Sequence, residues 1–124
     1  MTRLTISLAQ IAPAWARPEL NLARTRELAI EAGRRGSELI LFPELWLSDY
    51  DLVHAREYAS APGAGAFALL SDVARQSGVH LLGSLLEMDE EQIYNTAALF
   101  APNGELVATY RKMHLFAPME EAQY

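Results

Sequence analysis

Two charged residues of opposite sign stand where a chain of this kind could do chemistry. Glu44 follows Phe42-Pro43 at the end of the apolar run Leu39-Ile40-Leu41, and open α/β sheets gather ligand-contacting groups at such strand ends. Its neighbours Leu45, Trp46 and Leu47 are apolar. A surround of that kind disfavours the carboxylate and predicts a raised pKa, which suits a general base working near neutrality. The alternative is a solvated glutamate at a strand end. Lys112 lies between Arg111 and Met113, close to His114, Leu115 and Phe116. A fixed ammonium there could stabilise an oxyanion; the alternative is a surface basic pair.

Other constellations rank lower. Asp49, Asp51 and His54 form an Asp-x-Asp-x-x-His string whose oxygens and imidazole could share a divalent ion, but it lies in a loop with no further ligand cluster. His80, within an apolar strand, is expected as a hydrogen-bonded core residue. His114 either supports the loop around Lys112 or packs there. Gly63-Ala64-Gly65 lacks the third glycine and the preceding strand of a dinucleotide fingerprint and reads as a hinge before a helix. Trp15 and Trp46 could line a pocket, although core or interface is the commoner use of such aromatics.

The elements that must position these residues are legible from periodicity. Leu4, Ile6 and Leu8 alternate with Thr5, Ser7 and Ala9, which predicts a strand with one face against a core. Residues 19–35 form an amphipathic helix through Leu22, Ala29 and Ala32, with Ala23 and Ile30 beside them and Gly36 as the stop. The run 39–42, ended by Pro43, suits a strand buried on both faces. A polar, aromatic-rich loop follows, then a second helix over 66–76 ended by Gly78, and an apolar strand over 79–86. Segments 94–100 and 105–110 flank Ala101-Pro102-Asn103-Gly104 and should pair as a hairpin. The reading is α/β with a mixed sheet.

Composition narrows the partners. The chain has 124 residues, 51% of them hydrophobic, enough for one domain with a core. A net charge of -6 without Lys/Arg clusters argues against nucleic acid. Cysteine is absent, which rules out disulfides and thiolate zinc sites within these residues. The start alternates apolar and polar residues and no run reaches membrane-spanning length, so no membrane is expected and cytoplasmic residence is the default.

Phe42-Pro43-Glu44-Leu45-Trp46 after Leu39-Ile40-Leu41 resembles the segment that bears the catalytic glutamate in nitrilase-superfamily (carbon-nitrogen) hydrolases. Tyr110-Arg111-Lys112-Met113-His114-Leu115-Phe116 is similar to the segment bearing their catalytic lysine, and Tyr94-Asn95-Thr96-Ala97 with Asn103-Gly104 is similar to the hairpin before it. The resemblance implies the first half of an α-β-β-α sandwich, with residues 1–124 an incomplete domain lacking the C-terminal half. It also implies hydrolysis of a small amide, nitrile or carbamoyl substrate without metal or cofactor. Glu44 would then be the general base, Lys112 would stabilise the tetrahedral intermediate, and a cysteine beyond this chain would be the nucleophile. Glu121, with Glu120 next to it, would match a second glutamate that some members use; a solvated acidic turn is the other reading. The family further implies a homo-oligomer at full length. Half of such a fold should leave strand edges and an apolar sheet face uncovered, and the chain alone should be inactive. A non-catalytic remnant or interaction module is the alternative.

Overall fold

The computed structural model describes residues 2–115. One sheet carries five strands in the order β1-β2-β3-β4-β5: β1 Ile6–Leu8, β2 Leu39–Leu41, β3 His80–Asp89, β4 Gln92–Phe100 and β5 Leu106–Arg111. The first three run parallel and the last three antiparallel, so the sheet is mixed and the fold α/β, as expected. Helices α1 (Pro18–Arg34) and α3 (Gly65–Ser77) make the parallel crossovers and pack on each other over one sheet face. A 3-10 turn at Leu52–His54 and the short α2 (Ala55–Tyr58) interrupt the segment expected to be a loop.

Local chemistry explains the helix ends. Pro18 occupies the first turn of α1, where its missing N–H and fixed φ cost nothing. Gly36 and Gly78 follow α1 and α3 in left-handed backbone, a conformation that a Cβ disfavours. Gly65, expected within a hinge, is instead the first residue of α3.

The core lies between the helices and the sheet face bearing Ile40, Leu81, Ala98 and Phe100, with Ala29, Ala32, Phe67, Leu70 and Val73 opposite. Two polar residues of α1 are buried with them. The Asn21 side chain accepts from Ala14 N (2.8 Å) and donates to the carbonyls of Ala14 (2.9 Å) and Leu47 (2.8 Å). Thr25 Oγ1 donates to Asn21 O and accepts from Trp46 Nε1, both at 2.7 Å. Sequence periodicity passes over both residues, because it weighs only apolar positions.

The opposite sheet face corrects two expectations. Leu4, Ile6 and Leu8 do not face the core but are 62%, 47% and 63% exposed; Ser7 and Ala9 turn toward the helices instead. The strand over 39–42 is buried on one face only, with Ile40 and Phe42 inside and Leu41 38% exposed. With Tyr110, also exposed, these residues form the uncovered apolar face that half of a sandwich was expected to leave. A third correction concerns His80, which is exposed at the first position of β3, its ring nitrogen 3.3 Å from Glu38 O. The apolar strand alternates there, and position 80 falls on the uncovered face.

Beyond residue 86 the sequence predicts no pairing until 94, yet β3 and β4 run through to a two-residue turn at Glu90-Glu91, closed by the pair Asp89↔Gln92. Glu90 takes φ 55° there, a role that Asn or Gly usually fills. No residue type in that stretch announces the turn.

Candidate active site

Glu44 is set by a turn that sends its neighbours elsewhere. Leu45 adopts φ 50°, a left-handed conformation costing a residue with a Cβ on the order of 1–2 kcal/mol. Its N–H donates to Ser84 Oγ (3.0 Å), and its side chain joins Leu52, Ala55 and Leu86 in a second apolar cluster. Trp46 goes the other way into the main core, stacked on Phe42 with centroids 4.8 Å apart. Glu44, immediately before both, keeps its side chain 44% exposed on the uncovered sheet side.

Lys112 reaches the same point from the end of β5. Its Nζ lies 2.7 Å from Glu44 Oε1, across 68 residues of sequence. Asn95 Nδ2 donates to that same oxygen at 2.7 Å, and Tyr50 also hydrogen-bonds the carboxylate. A cavity of about 300 Å³ adjoins Lys112 and Asn95, lined by Leu52, Ala55, Leu86 and Ile93 among others. A larger one, about 390 Å³ between Pro18, Leu22, Tyr58 and Leu69, includes neither Glu44 nor Lys112 and is chiefly apolar. Concave volume alone would therefore point away from the titratable pair.

The expected raised pKa of Glu44 is corrected. Partial burial does push the carboxyl up, but the bonds from Lys112, Tyr50 and Asn95 and the ammonium charge outweigh it and hold it below its usual range. The apolar neighbours that prompted the expectation point into the cores instead. At neutral pH the group is a carboxylate, able to accept a proton without first losing one.

The far side of the same strands carries a structural counterpart. Glu87, 6% exposed, accepts from Thr96 Oγ1 at 2.7 Å and from Arg111 Nη2 and Nε at 2.8 and 3.1 Å. Arg111 also bonds Asp89 (2.9 Å) and lies 3.8 Å over the Tyr94 ring. A forked guanidinium of this kind fixes direction as well as distance. It fastens one face of β5's end, and the next residue, Lys112, projects to the other. The basic pair thus divides, one member tied to Glu87 and the other to Glu44.

Asp51 and His54 meet without Asp49. His54 Nδ1 is 2.8 Å from Asp51 Oδ2, and Tyr58 donates to that oxygen at 2.6 Å. Among the described residues no three His, Cys, Asp or Glu side chains converge to hold a metal ion. The bond from Tyr58, followed by that from His54, holds Asp51 low against desolvation; Asp51 in turn raises His54 and pushes Tyr58 up to about 12. The sign of the linkage follows. His54's contribution is full below its ordinary 6.5 and lost as pH rises through its raised value, and Asp51's is full above its ordinary 3.8 and lost as pH falls through its lowered one. The stability difference between the parent and His54→Ala, read as a urea midpoint, is therefore expected to be widest between these values and to narrow as pH rises through the raised His54 value. A difference unchanged across that range would contradict the pair's role.

Glu121 and Glu120 lie outside the described residues. Trp15 is 56% exposed, and Trp46 is fully buried in the core, so neither lines the cavity beside Lys112. His114 is exposed. Sequence reading passed over Tyr50 and gave Asn95 no role beyond its hairpin; a tyrosine in a turn and an asparagine on a strand carry no distinctive spacing.

Residues 5–124 match the carbon-nitrogen hydrolase family. The chain belongs to that family. Among curated members it is 36% identical over 117 residues to an omega-amidase of Xenopus laevis, covering 94% of this chain and 42% of that protein. It is 33% identical over 121 residues to the 2-oxoglutaramate amidase of Bacillus subtilis, covering 97% and 46%. Among solved structures, a cysteine variant of an amidase from Nesterenkonia sp., in complex with butyramide, superposes with a TM-score of 0.84 at 33% identity, covering 96% of this chain and 46% of that one. The chain thus spans about half the length of the family members it matches. Its fold matches the corresponding part of that amidase structure, and it contains no cysteine. Among its described residues no helix is long and apolar enough to cross a membrane.

Proposed function

We propose that these residues are the amino-terminal half of an amidase that hydrolyses small, non-peptide amides, with Glu44 and Lys112 as two of its catalytic groups. The observation that carries the reading is the 2.7 Å contact between Lys112 Nζ and Glu44 Oε1, formed by residues that follow two different strands, β5 and β2, and bordered by a cavity. A covalent route through such a site needs a nucleophile. In the proposal a cysteine on the remainder of the protein supplies it, and that remainder covers the apolar sheet face.

The steps assigned to this chain are limited to protons and charge. Glu44 takes the thiol proton as sulfur attacks the amide carbon, and passes it to the departing amine. It then takes a proton from the water that cleaves the thioester. Lys112 stays protonated and faces the oxygen on which negative charge develops. The amidases named above support an amide as substrate; a nitrile or carbamoyl group is the other chemistry such a site would take. Self-association of the whole protein, which sedimentation would measure, belongs to the same proposal.

The test is ammonia release from short aliphatic amides and from 2-oxoglutaramate by the whole, cysteine-bearing protein. Lys112→Ala is expected to lower kcat by about 10²–10³-fold in a protein that still folds. Unchanged turnover in that variant would remove Lys112 from the mechanism, and turnover by the 124-residue chain alone would remove the need for a cysteine.

A further inference from the structure

We infer that Asn95 is a positioning residue that holds the two charged groups of the site in register, through its side chain on one and its backbone on the other. This rests on the proposed function for its consequence but not for its geometry. Asn95 Nδ2 donates to Glu44 Oε1 at 2.7 Å, while Asn95 O accepts from Lys112 N at 2.8 Å. One residue therefore touches both halves of a contact that closes across 68 positions of sequence.

Its own place is well fixed. Asn95 is 6% exposed and paired with Leu86 inside the β3–β4 ladder. Next to it, Thr96 is fully buried and bonded to Glu87, which also grips Arg111. The amide is thus carried on a backbone clamped from the opposite face. Glu44, by contrast, comes from a turn with a strained Leu45 and is 44% exposed. A half-exposed carboxylate has several rotamers available, and a buried donor with a fixed origin selects one. Lys112, Tyr50 and Asn95 are the groups that face this carboxylate from the strand end, the turn and β4.

The consequence is separable from simple stability. In the whole protein, Asn95→Asp replaces the donor with a second carboxylate within hydrogen-bond reach of Glu44. Like charge at that distance raises the neighbour's pKa, whereas the backbone bond to Lys112 is retained. Glu44, followed as a ¹³C-labelled carboxyl signal identified by its loss in Glu44→Gln, is expected to titrate at least about one pH unit higher than in the parent. The acid limb of kcat/KM should move with it, kcat should fall at least tenfold, and KM should change less than threefold. Because a buried Asp can unfold a protein, Asn95→Leu provides a second reading without added charge. It should also raise the Glu44 titration, through the lost donor, and lower kcat at constant KM.

If either folded variant leaves both the Glu44 titration and kcat at parental values, Asn95 does not position the site. The proposed amidase chemistry fails by a different result, namely full activity in Glu44→Gln. A titration shift in the Asn95 variants would stand even then.

Discussion

Glu44→Gln, in the whole protein with its cysteine, is expected to lower kcat for amide hydrolysis by about 10²–10⁴-fold while leaving KM within a few-fold of the parent. Glutamine keeps the size of the side chain and an oxygen that can accept from Asn95 and Lys112, so the fold has little reason to change. What disappears is the basic oxygen. Without it neither the thiol nor the water has a positioned acceptor for its proton, and both halves of the reaction slow. Because the Glu44 carboxyl is held low, the parent's activity should not decline through its protonation until pH falls below the usual carboxylate range. Stopped or steady-state ammonia release across pH would read both effects. A Glu44→Gln protein within tenfold of the parent would leave the residue as a structural partner of Lys112 and no more.

Trp46→Ala is expected to produce the largest loss of stability, about 3–5 kcal/mol, measured by urea unfolding of the whole protein. Trp46 is fully buried, stacks on Phe42, and donates from Nε1 to Thr25 Oγ1. Its ring also lies directly on Gly83, where a Cβ would collide with it, so β3 is shaped to receive this side chain. Removing the indole leaves a cavity and an acceptor on Thr25 with one partner fewer. Trp46→Phe keeps an aromatic ring in the core while losing the polar bond and part of the indole's volume, so it should cost less than Trp46→Ala. The effect should reach the site as well, because Trp46 is two residues beyond Glu44 and anchors that turn to α1. A loss of only about 1 kcal/mol would be that of an ordinary substitution and would show that the turn is held by other contacts.

How much of this was legible in the sequence depends on what each residue's signal measures. Glu44 and Lys112 stand out because each follows a strand, and the family resemblance joins them; that their side chains meet at 2.7 Å is a feature of the fold that no spacing announces. The pKa of Glu44 was misjudged because Leu45, Trp46 and Leu47 are neighbours in sequence and not in space. A positive φ at Leu45 turns them away, and nothing about a leucine announces it. Leu4, Ile6 and Leu8 alternate correctly for a strand, yet alternation says only that one face is apolar and not which layer covers it. The buried polar positions Asn21 and Thr25 and the turn at Glu90-Glu91 were invisible, since each uses a residue type against its usual preference. Helices α1 and α3 and the hairpin over 94–110 are legible nearly to their ends because Gly36, Gly78 and Asn103-Gly104 mark them, whereas α2 is not.

The mixed order of the sheet also separates the site in time. β3, β4 and β5 follow one another through short turns and pair as a meander, so their contacts are local and close quickly. The pairings β1 with β2 and β2 with β3 are parallel and each wait on a helical crossover, with the loop-closure entropy that a long connection carries. Asn95 and Lys112 belong to the rapid unit and Glu44 to the slow one. The ammonium and amide are thus expected to assemble first as a half-built socket, the carboxylate arriving only when β2 docks. A probe on Glu44 would follow that docking step, while one on Lys112's backbone amide would follow the earlier closure of the meander.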